Sequence, residues 1–123
     1  KQLANMMNAL EQYNVSIEEI HHTQKLDAPS GTAISLAEGI IENSAYNEWK
    51  LDDSSENIIP ITAKRIENVP GTHTIDYDSD VDSISIKHIA HSREGFALGA
   101  VIAAEWLQGK TGVYSMQDVL NIG

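Results

Sequence analysis

A proline and a glycine two residues apart break the chain between an extended run and a helical run. Regular structure does not continue easily through Pro29 and Gly31, so we expect a loop there. Before the loop, the β-branched residues of 15–21 predict a strand. After it, apolar residues recur at helical spacing over 33–41, with Ser30 as the N-cap. The sequence therefore predicts a unit of strand, loop and helix.

Apolar spacing and turn residues place the remaining elements. The predicted elements are helices over 2–13 and 94–108 and strands over 58–65, 72–78 and 82–90. The polar segment 44–57 is expected to be a surface excursion. We therefore expect an α+β fold, in which a mixed, partly open β-sheet of about four strands carries helices on one face. The other face, with threonine, serine and isoleucine, is available for oligomerisation.

Charge and composition exclude several classes of function. Eight lysines and arginines against 18 acidic residues give a formal net charge of −10, so nucleic acid is disfavoured as a partner. No apolar run approaches the ~18 residues that span a bilayer, so we expect no membrane partner. Without cysteine the chain has no disulfide, no thiolate metal site and no thiol nucleophile, which suits a cytoplasmic location.

The predicted helix over 94–108 is apolar around most of its circumference. A chain of 123 residues buries every side of such a helix with difficulty. One interpretation is a central core helix. The other is that a part of the protein outside this sequence covers the helix, and the apolar residues of 114–120 support that second interpretation.

Functional groups are densest where the first strand ends and the following helix begins. A histidine such as His21 titrates near neutral pH and can donate a proton during a reaction. Lys25 is a compact cation suited to a carboxylate or a phosphate. The backbone amides of Gly31 and Thr32 lie at a helix N-terminus, where they attract an anion. Together these groups predict a site for a small dianion.

Each part of this cluster also has an ordinary structural interpretation. Adjacent residues of a strand face opposite ways, so at most one of His21 and His22 is expected in a site, and a lone histidine more often has a structural role. Lys25 alone is typical of a solvated surface, and residues 30–32 alone are typical of an N-cap. The histidine pair lacks the helical spacing of metal ligands and no HExxH pattern exists, so we expect no metal.

Residues 19–33 read EIHHTQKLDAPSGTA. This run resembles the signature of the 4-hydroxy-tetrahydrodipicolinate reductases, also called dihydrodipicolinate reductases. The pattern of that family is E-x-H-H-x-x-K-x-D-A-P-S-G-T-A, and none of its residues is substituted here. The resemblance continues at GTHT in 71–74 and HIAHSR in 88–93, and it covers nearly the whole chain.

The resemblance implies a reductase of the diaminopimelate route to lysine that acts on a cyclic dicarboxylate with NADH or NADPH. By position, it makes His21 the general acid, with His22 beside it in the substrate site. It assigns one substrate carboxylate to Lys25, which also supports protonation, and the other carboxylate to the amides of Gly31 and Thr32. It further implies a homotetramer that assembles through the sheet.

One departure from the family is large. Its members begin with a dinucleotide-binding domain that carries a Gly-x-Gly-x-x-Gly turn, and this sequence has no such turn. The resemblance implies that residues 1–92 form a substrate-binding and oligomerisation domain. Residues 93–123 would then be a helix and tail that pack on an N-terminal dinucleotide-binding domain absent from this sequence. We expect these 123 residues alone to be inactive and to contain no cofactor-binding residue.

Two other functions stay open from the sequence. The chain also fits the substrate domain of another two-domain nicotinamide oxidoreductase, which predicts no particular spacing between Lys25 and Thr32. A further alternative, from a different class, is a non-catalytic module that binds an anionic metabolite or supports assembly. His73, His88 and Arg93 are compatible with the cleft or with sheet and domain contacts, and we assign them no role.

Overall fold

The larger part of the fold is built around a five-stranded mixed sheet. The structure is a computed structural model and describes residues 1–123. The elements in chain order are α1 (Gln2–Met7), β1 (Asn14–His21), α2 (Gly31–Ile41), β2 (Glu48–Leu51), β3 (Ile58–Arg65), β4 (Gly71–Asp78), β5 (Ser83–Ala90), α3 (Glu94–Leu107) and α4 (Met116–Leu120). The strand order is β2-β3-β1-β4-β5, with β1 parallel to β3 and antiparallel to β4. This confirms the predicted α+β fold. The sheet has one strand more than the sequence suggested.

Two elements differ from the sequence prediction. The helix expected over 2–13 ends at Met7, because Leu10, whose spacing suggested the continuation, is exposed and belongs to a turn. The segment 44–57 contains the short strand β2, which pairs in parallel with β3. In β2, Trp49 is half-buried and the other three residues are exposed, so the strand shows no alternation of buried and exposed side chains. It is held by backbone pairing, which a sequence pattern does not show.

Alternation along β1 separates two faces of the sheet. The odd-numbered residues from Val15 to His21 are buried, whereas the even-numbered ones are half-buried or exposed. The buried face packs against α2, whose small Ala33 and Ala37 are fully buried and let the helix lie close to the strands. The core consists of Ala4, Val15, Ile17, Ala33, Ala37, Ile40, Ile59, Ile61 and Tyr77.

Strand register brings polar residues together at one end of this buried face. Because β1 and β3 run in parallel, their carboxyl ends meet, and His21 lies beside Arg65 in the register. Because β4 runs antiparallel to β1, its first residues lie at the same end, where His73 is opposite Glu19. The loop after β1 returns the chain to the start of α2 at Ser30, whose backbone N–H binds Glu19.

The chain divides into two compact units, Lys1–His91 and Ser92–Gly123. In the second unit, α3 buries none of its residues, so it is not a central core helix. The helix α4 begins with a capping box in which the Ser115 hydroxyl and N–H both donate to the Asp118 carboxylate, at 2.8 and 2.6 Å. None of the helices is both long enough and apolar enough to cross a membrane.

The burial of two isoleucines predicts that their substitution by alanine has different effects on stability. Ile61 is fully buried, whereas the Ile66 side chain is 49% exposed. We expect Ile61→Ala to lower the free energy of unfolding by about 2–5 kcal/mol, because the substitution leaves a cavity. The matched control Ile66→Ala should cost less than about 1 kcal/mol. Urea denaturation followed by circular dichroism measures both values, and equal losses would contradict the described core.

Candidate functional site

The carboxylate of Glu19 is fully buried and accepts hydrogen bonds from three other residues. The Arg65 guanidinium binds it through two parallel bonds, from Nη1 to Oε2 at 3.0 Å and from Nη2 to Oε1 at 3.1 Å. His21 Nδ1 lies 2.5 Å from Oε2, and the Ser30 backbone N–H donates to Oε1 at 3.0 Å. Glu19 therefore links the end of β1, the end of β3 and the start of α2.

Arg65 also holds the loop that joins β1 to α2. Its Nε donates to the backbone carbonyl of Lys25 at 3.2 Å, and its Nη2 donates to the carbonyl of Asp27 at 2.6 Å. These bonds satisfy carbonyl groups that have no partner in a helix or a strand. The loop path is thereby fixed by a residue 40 positions further along the chain.

Two imidazole rings pack together next to Glu19. The rings of His21 and His73 meet edge to face, with centroids 5.1 Å apart and planes inclined by 73°. His73 Nε2 lies 3.1 Å from the Ser30 hydroxyl oxygen. A Cβ atom at Gly71 would lie 3.2 Å from His21 Nε2, which is tighter than an ordinary contact. The glycine therefore leaves space beside that nitrogen.

The first turn of α2 presents free backbone donors. The Ser30 side chain accepts from the Ala33 N–H at 3.2 Å and so caps the helix. The N–H groups of Gly31 and Thr32 have no acceptor within the chain. Both residues are exposed, and a Cβ at Gly31 would meet nothing within 4 Å. An anion can therefore approach these two amides closely.

The side chain of Lys25 has a partner that the sequence interpretation did not include. Its Nζ lies 3.1 Å from Oδ1 of Asp27, and the Asp27 side chain is 64% exposed. A hydrogen bond from Lys25 is the largest cause that lowers the pKa of the Asp27 carboxyl. The Asp27 end of the pair is open to solvent, which weakens the attraction, so an incoming carboxylate can compete with Asp27 for the ammonium group.

His22 is half-buried just after β1, and its backbone carbonyl accepts from the Lys25 N–H at 3.2 Å. The His22 ring makes no hydrogen bond. The structure therefore joins His21 and the start of α2 through Glu19, and it fixes the main chain of Lys25 through Arg65. It gives no comparable contact to the ring of His22.

Burial and hydrogen bonding set the charges of two groups in the cluster. Burial alone would raise the pKa of Glu19, but the hydrogen bonds from Arg65, His21 and the Ser30 N–H together lower that pKa below its usual range. Burial lowers the pKa of His73, and the charge of His21 lowers it further. At neutral pH the site thus contains an ionised Glu19 and an uncharged His73.

From the sequence, no role was assigned to three residues of this cluster: Glu19, Arg65 and His73. A signal for Glu19 was present, because a charged residue at a buried position of β1 requires a partner. His73 shares a strand face with Ile75 and Tyr77, which placed it on the core side without showing its neighbours. For Arg65 no local signal exists, because its contacts depend on the pairing of β1 with β3.

Nowhere do three histidine, aspartate or glutamate side chains come together as a metal site.

Comparison with known proteins identifies the family. A family model described as "Dihydrodipicolinate reductase, C-terminus" matches residues 1–120. The chain is 62% identical over 122 residues to the 4-hydroxy-tetrahydrodipicolinate reductase of Christiangramia forsetii, covering 98% of this chain and 51% of that protein. It is 43% identical over 120 residues to the protein of the same name from Methanosarcina barkeri, covering 92% of this chain and 45% of that protein.

A solved structure shows the same relationship. The dipicolinate-bound dihydrodipicolinate reductase from Paenisporosarcina sp. TG-14 superposes with a TM-score of 0.68 at 25% sequence identity, covering 95% of this chain and 48% of that one. The chain spans about half the length of the curated relatives that it matches. The resemblance found in residues 19–33 is confirmed, and the chain belongs to the family formed by the C-terminal part of the dihydrodipicolinate reductases.

Proposed function

We propose that this chain is the substrate-binding part of an NAD(P)H-dependent 4-hydroxy-tetrahydrodipicolinate reductase. One observation carries the proposal beyond family membership: the Glu19 carboxylate binds both His21 and the Ser30 N–H at the start of α2. A proton donor and two free backbone amides are therefore held in one cluster. The reaction would yield tetrahydrodipicolinate for diaminopimelate and lysine biosynthesis.

The proposed ligand is a ring that carries two carboxylates. The amides of Gly31 and Thr32 would bind one carboxylate, aided by the positive end of the α2 dipole. Lys25 would bind the other carboxylate after leaving Asp27, and His22 would lie beside the site. The structural neighbour that was solved with dipicolinate supports a ligand of this shape and charge.

Reduction adds a hydride and a proton across an unsaturated bond of the ring. A nicotinamide held by another domain would supply the hydride to the ring carbon conjugated with the imine. From its doubly protonated ring, His21 donates the proton on Nε2, the nitrogen beside Gly71, to the neighbouring carbon and keeps the proton on Nδ1. Lys25 and the helix amides stabilise both carboxylates during this step.

The residues of this chain do not fit a dinucleotide, because no Gly-x-Gly-x-x-Gly turn follows any strand. We therefore assign NADH or NADPH to an N-terminal domain, on which residues 93–123 would pack. Residues 1–92 would bind the substrate and form a cytoplasmic homotetramer. Family membership disfavours another two-domain oxidoreductase, and a non-catalytic binding module becomes one outcome of the kinetic test below.

Binding of 2,6-pyridinedicarboxylate tests the ligand site directly. In NMR titrations of this chain, the amide signals of Gly31 and Thr32 should shift at millimolar ligand, and pyridine-2-carboxylate should bind more weakly. Lys25→Gln should weaken binding about tenfold, because a charge-assisted hydrogen bond is lost. Lys64→Gln is the matched control, since Lys64 pairs with Glu18 at 2.6 Å on the other face of the sheet. Unchanged signals at 31 and 32 would argue against the site.

Kinetics of a complete reductase that carries this chain test the chemistry. We expect His21→Ala to lower kcat by about 10²–10⁴-fold, as is typical for loss of a general acid. Lys25→Ala should lower kcat and also raise KM, because Lys25 contacts the substrate before and during the reaction. Near-normal kinetics for either variant would remove that role. Binding of the diacid without any reductase activity would favour the non-catalytic module.

Light scattering tests assembly through the face of the sheet opposite α2. Ile20 is half-buried on that face, so Ile20→Arg should shift the mass of the chain from a tetramer towards a monomer. Val81→Arg makes the same chemical change in the turn between β4 and β5, where the side chain is 85% exposed, and should leave the mass unchanged. A monomeric unsubstituted chain at high concentration would reject the proposed assembly.

A further inference from the structure

Glu19 has no role in the proposed reaction, yet it contacts the group that would donate the proton. A carboxylate only accepts hydrogen bonds, so the short contact of 2.5 Å requires the proton on Nδ1 of His21. In the neutral ring, the other nitrogen then has no proton. That second nitrogen, Nε2, is the one beside Gly71, where a side chain is missing.

The two oxygens of Glu19 serve different elements. Oε2 accepts from His21 Nδ1 and from Arg65 Nη1, whereas Oε1 accepts from the Ser30 N–H and from Arg65 Nη2. Rotation or displacement of the carboxylate would therefore move the imidazole and the start of α2 together. Since Gly31 and Thr32 follow Ser30 directly, the same carboxylate sets where their free amides lie relative to the imidazole.

We propose that Glu19 is a positioning residue, which holds one ring proton of His21 on Nδ1 and aligns Nε2 with the anion-binding amides of α2. The proton that His21 donates is then a second one, which the doubly protonated ring carries on Nε2. The catalytic role of Glu19 in this inference rests on the proposed function. The tautomer of His21 and its alignment with α2 do not, because they depend only on contacts within this chain. Arg65 completes the arrangement, because its two bonds keep Glu19 ionised in a buried place.

The variant Glu19→Gln makes a sharp prediction about the proton on His21. At the Oε1 position both partners, the Ser30 N–H and Arg65 Nη2, are permanent donors, so the glutamine oxygen must occupy it. The glutamine NH₂ then takes the Oε2 position, where it faces Arg65 Nη1 and His21 Nδ1. Of these two, only the imidazole can exchange its donor for an acceptor. The neutral ring should therefore switch from the Nδ1–H to the Nε2–H tautomer.

Nitrogen-15 NMR of the imidazole side chains tests this in the 123-residue chain without any activity. The unsubstituted chain should show His21 as the Nδ1–H tautomer when neutral, and Glu19→Gln should show it as Nε2–H. Glu18→Gln is the matched control, because Glu18 lies on the opposite face with Lys64 and should leave the tautomer unchanged. An Nε2–H ring in the unsubstituted chain would overturn the proposal, and that measurement needs no variant to fold. A folded Glu19→Gln chain that retains the Nδ1–H form would also overturn it.

Activity of a complete reductase carrying this chain supplies a second readout. Glu19→Gln should lower kcat by about 10–10⁴-fold while KM changes less than about threefold, since the substrate contacts of Lys25 and α2 remain. Glu56→Gln, a substitution of an exposed residue between β2 and β3, should retain both constants. A folded Glu19→Gln enzyme with normal kcat would refute the positioning role. If the tautomer switches as expected but the unsubstituted enzyme has no reductase activity, the proposed function fails and the assignment of Glu19 to the orientation of His21 stands.

Discussion

The bidentate ion pair between Glu19 and Arg65 is the interaction on which the site depends. A charged carboxylate inside a protein is costly unless it is paired and hydrogen-bonded, and here the four hydrogen bonds come from β1, β3 and the start of α2. Because the remaining donors of Arg65 bind the carbonyls of Lys25 and Asp27, the pair also fixes the path of an irregular loop. Removing either partner would leave an unpaired charge at the end of the sheet.

Much of the fold could be predicted from local pattern, because its strands alternate and α2 has a clear N-cap at Ser30. The exceptions have physical reasons. Apolar residues continue at helical spacing beyond Met7, but the Leu10 side chain is exposed and does not pack in the core, so α1 ends at Met7. The strand β2 is polar and gains its order from β3, so its own residues contain no alternation that could reveal it.

The candidate site divides in the same way. His21, Lys25, Gly31 and Thr32 lie within twelve residues of one another, so a local run could indicate them. Two residues that surround Glu19, Arg65 and His73, come from β3 and β4, and only the register of the strands brings them near β1. Arg65 in particular ends its strand like many surface arginines do. Arg65 matters to the site because it binds the buried carboxylate of Glu19, which lies on another strand and is distant in sequence.

The charged character of β2 affects how the sheet ends. An edge strand exposes unpaired backbone groups that can recruit a strand from another molecule, and this hazard grows when the edge is flat and apolar. Here Lys50 lies in the middle of the edge strand, within 3.5 Å of Glu48 and 4.0 Å of Asp53. A strand from another chain would have to desolvate these charges in order to pair. The polar and charged residues of β2, which prevented its prediction from apolar alternation, thus also disfavour aggregation through this edge.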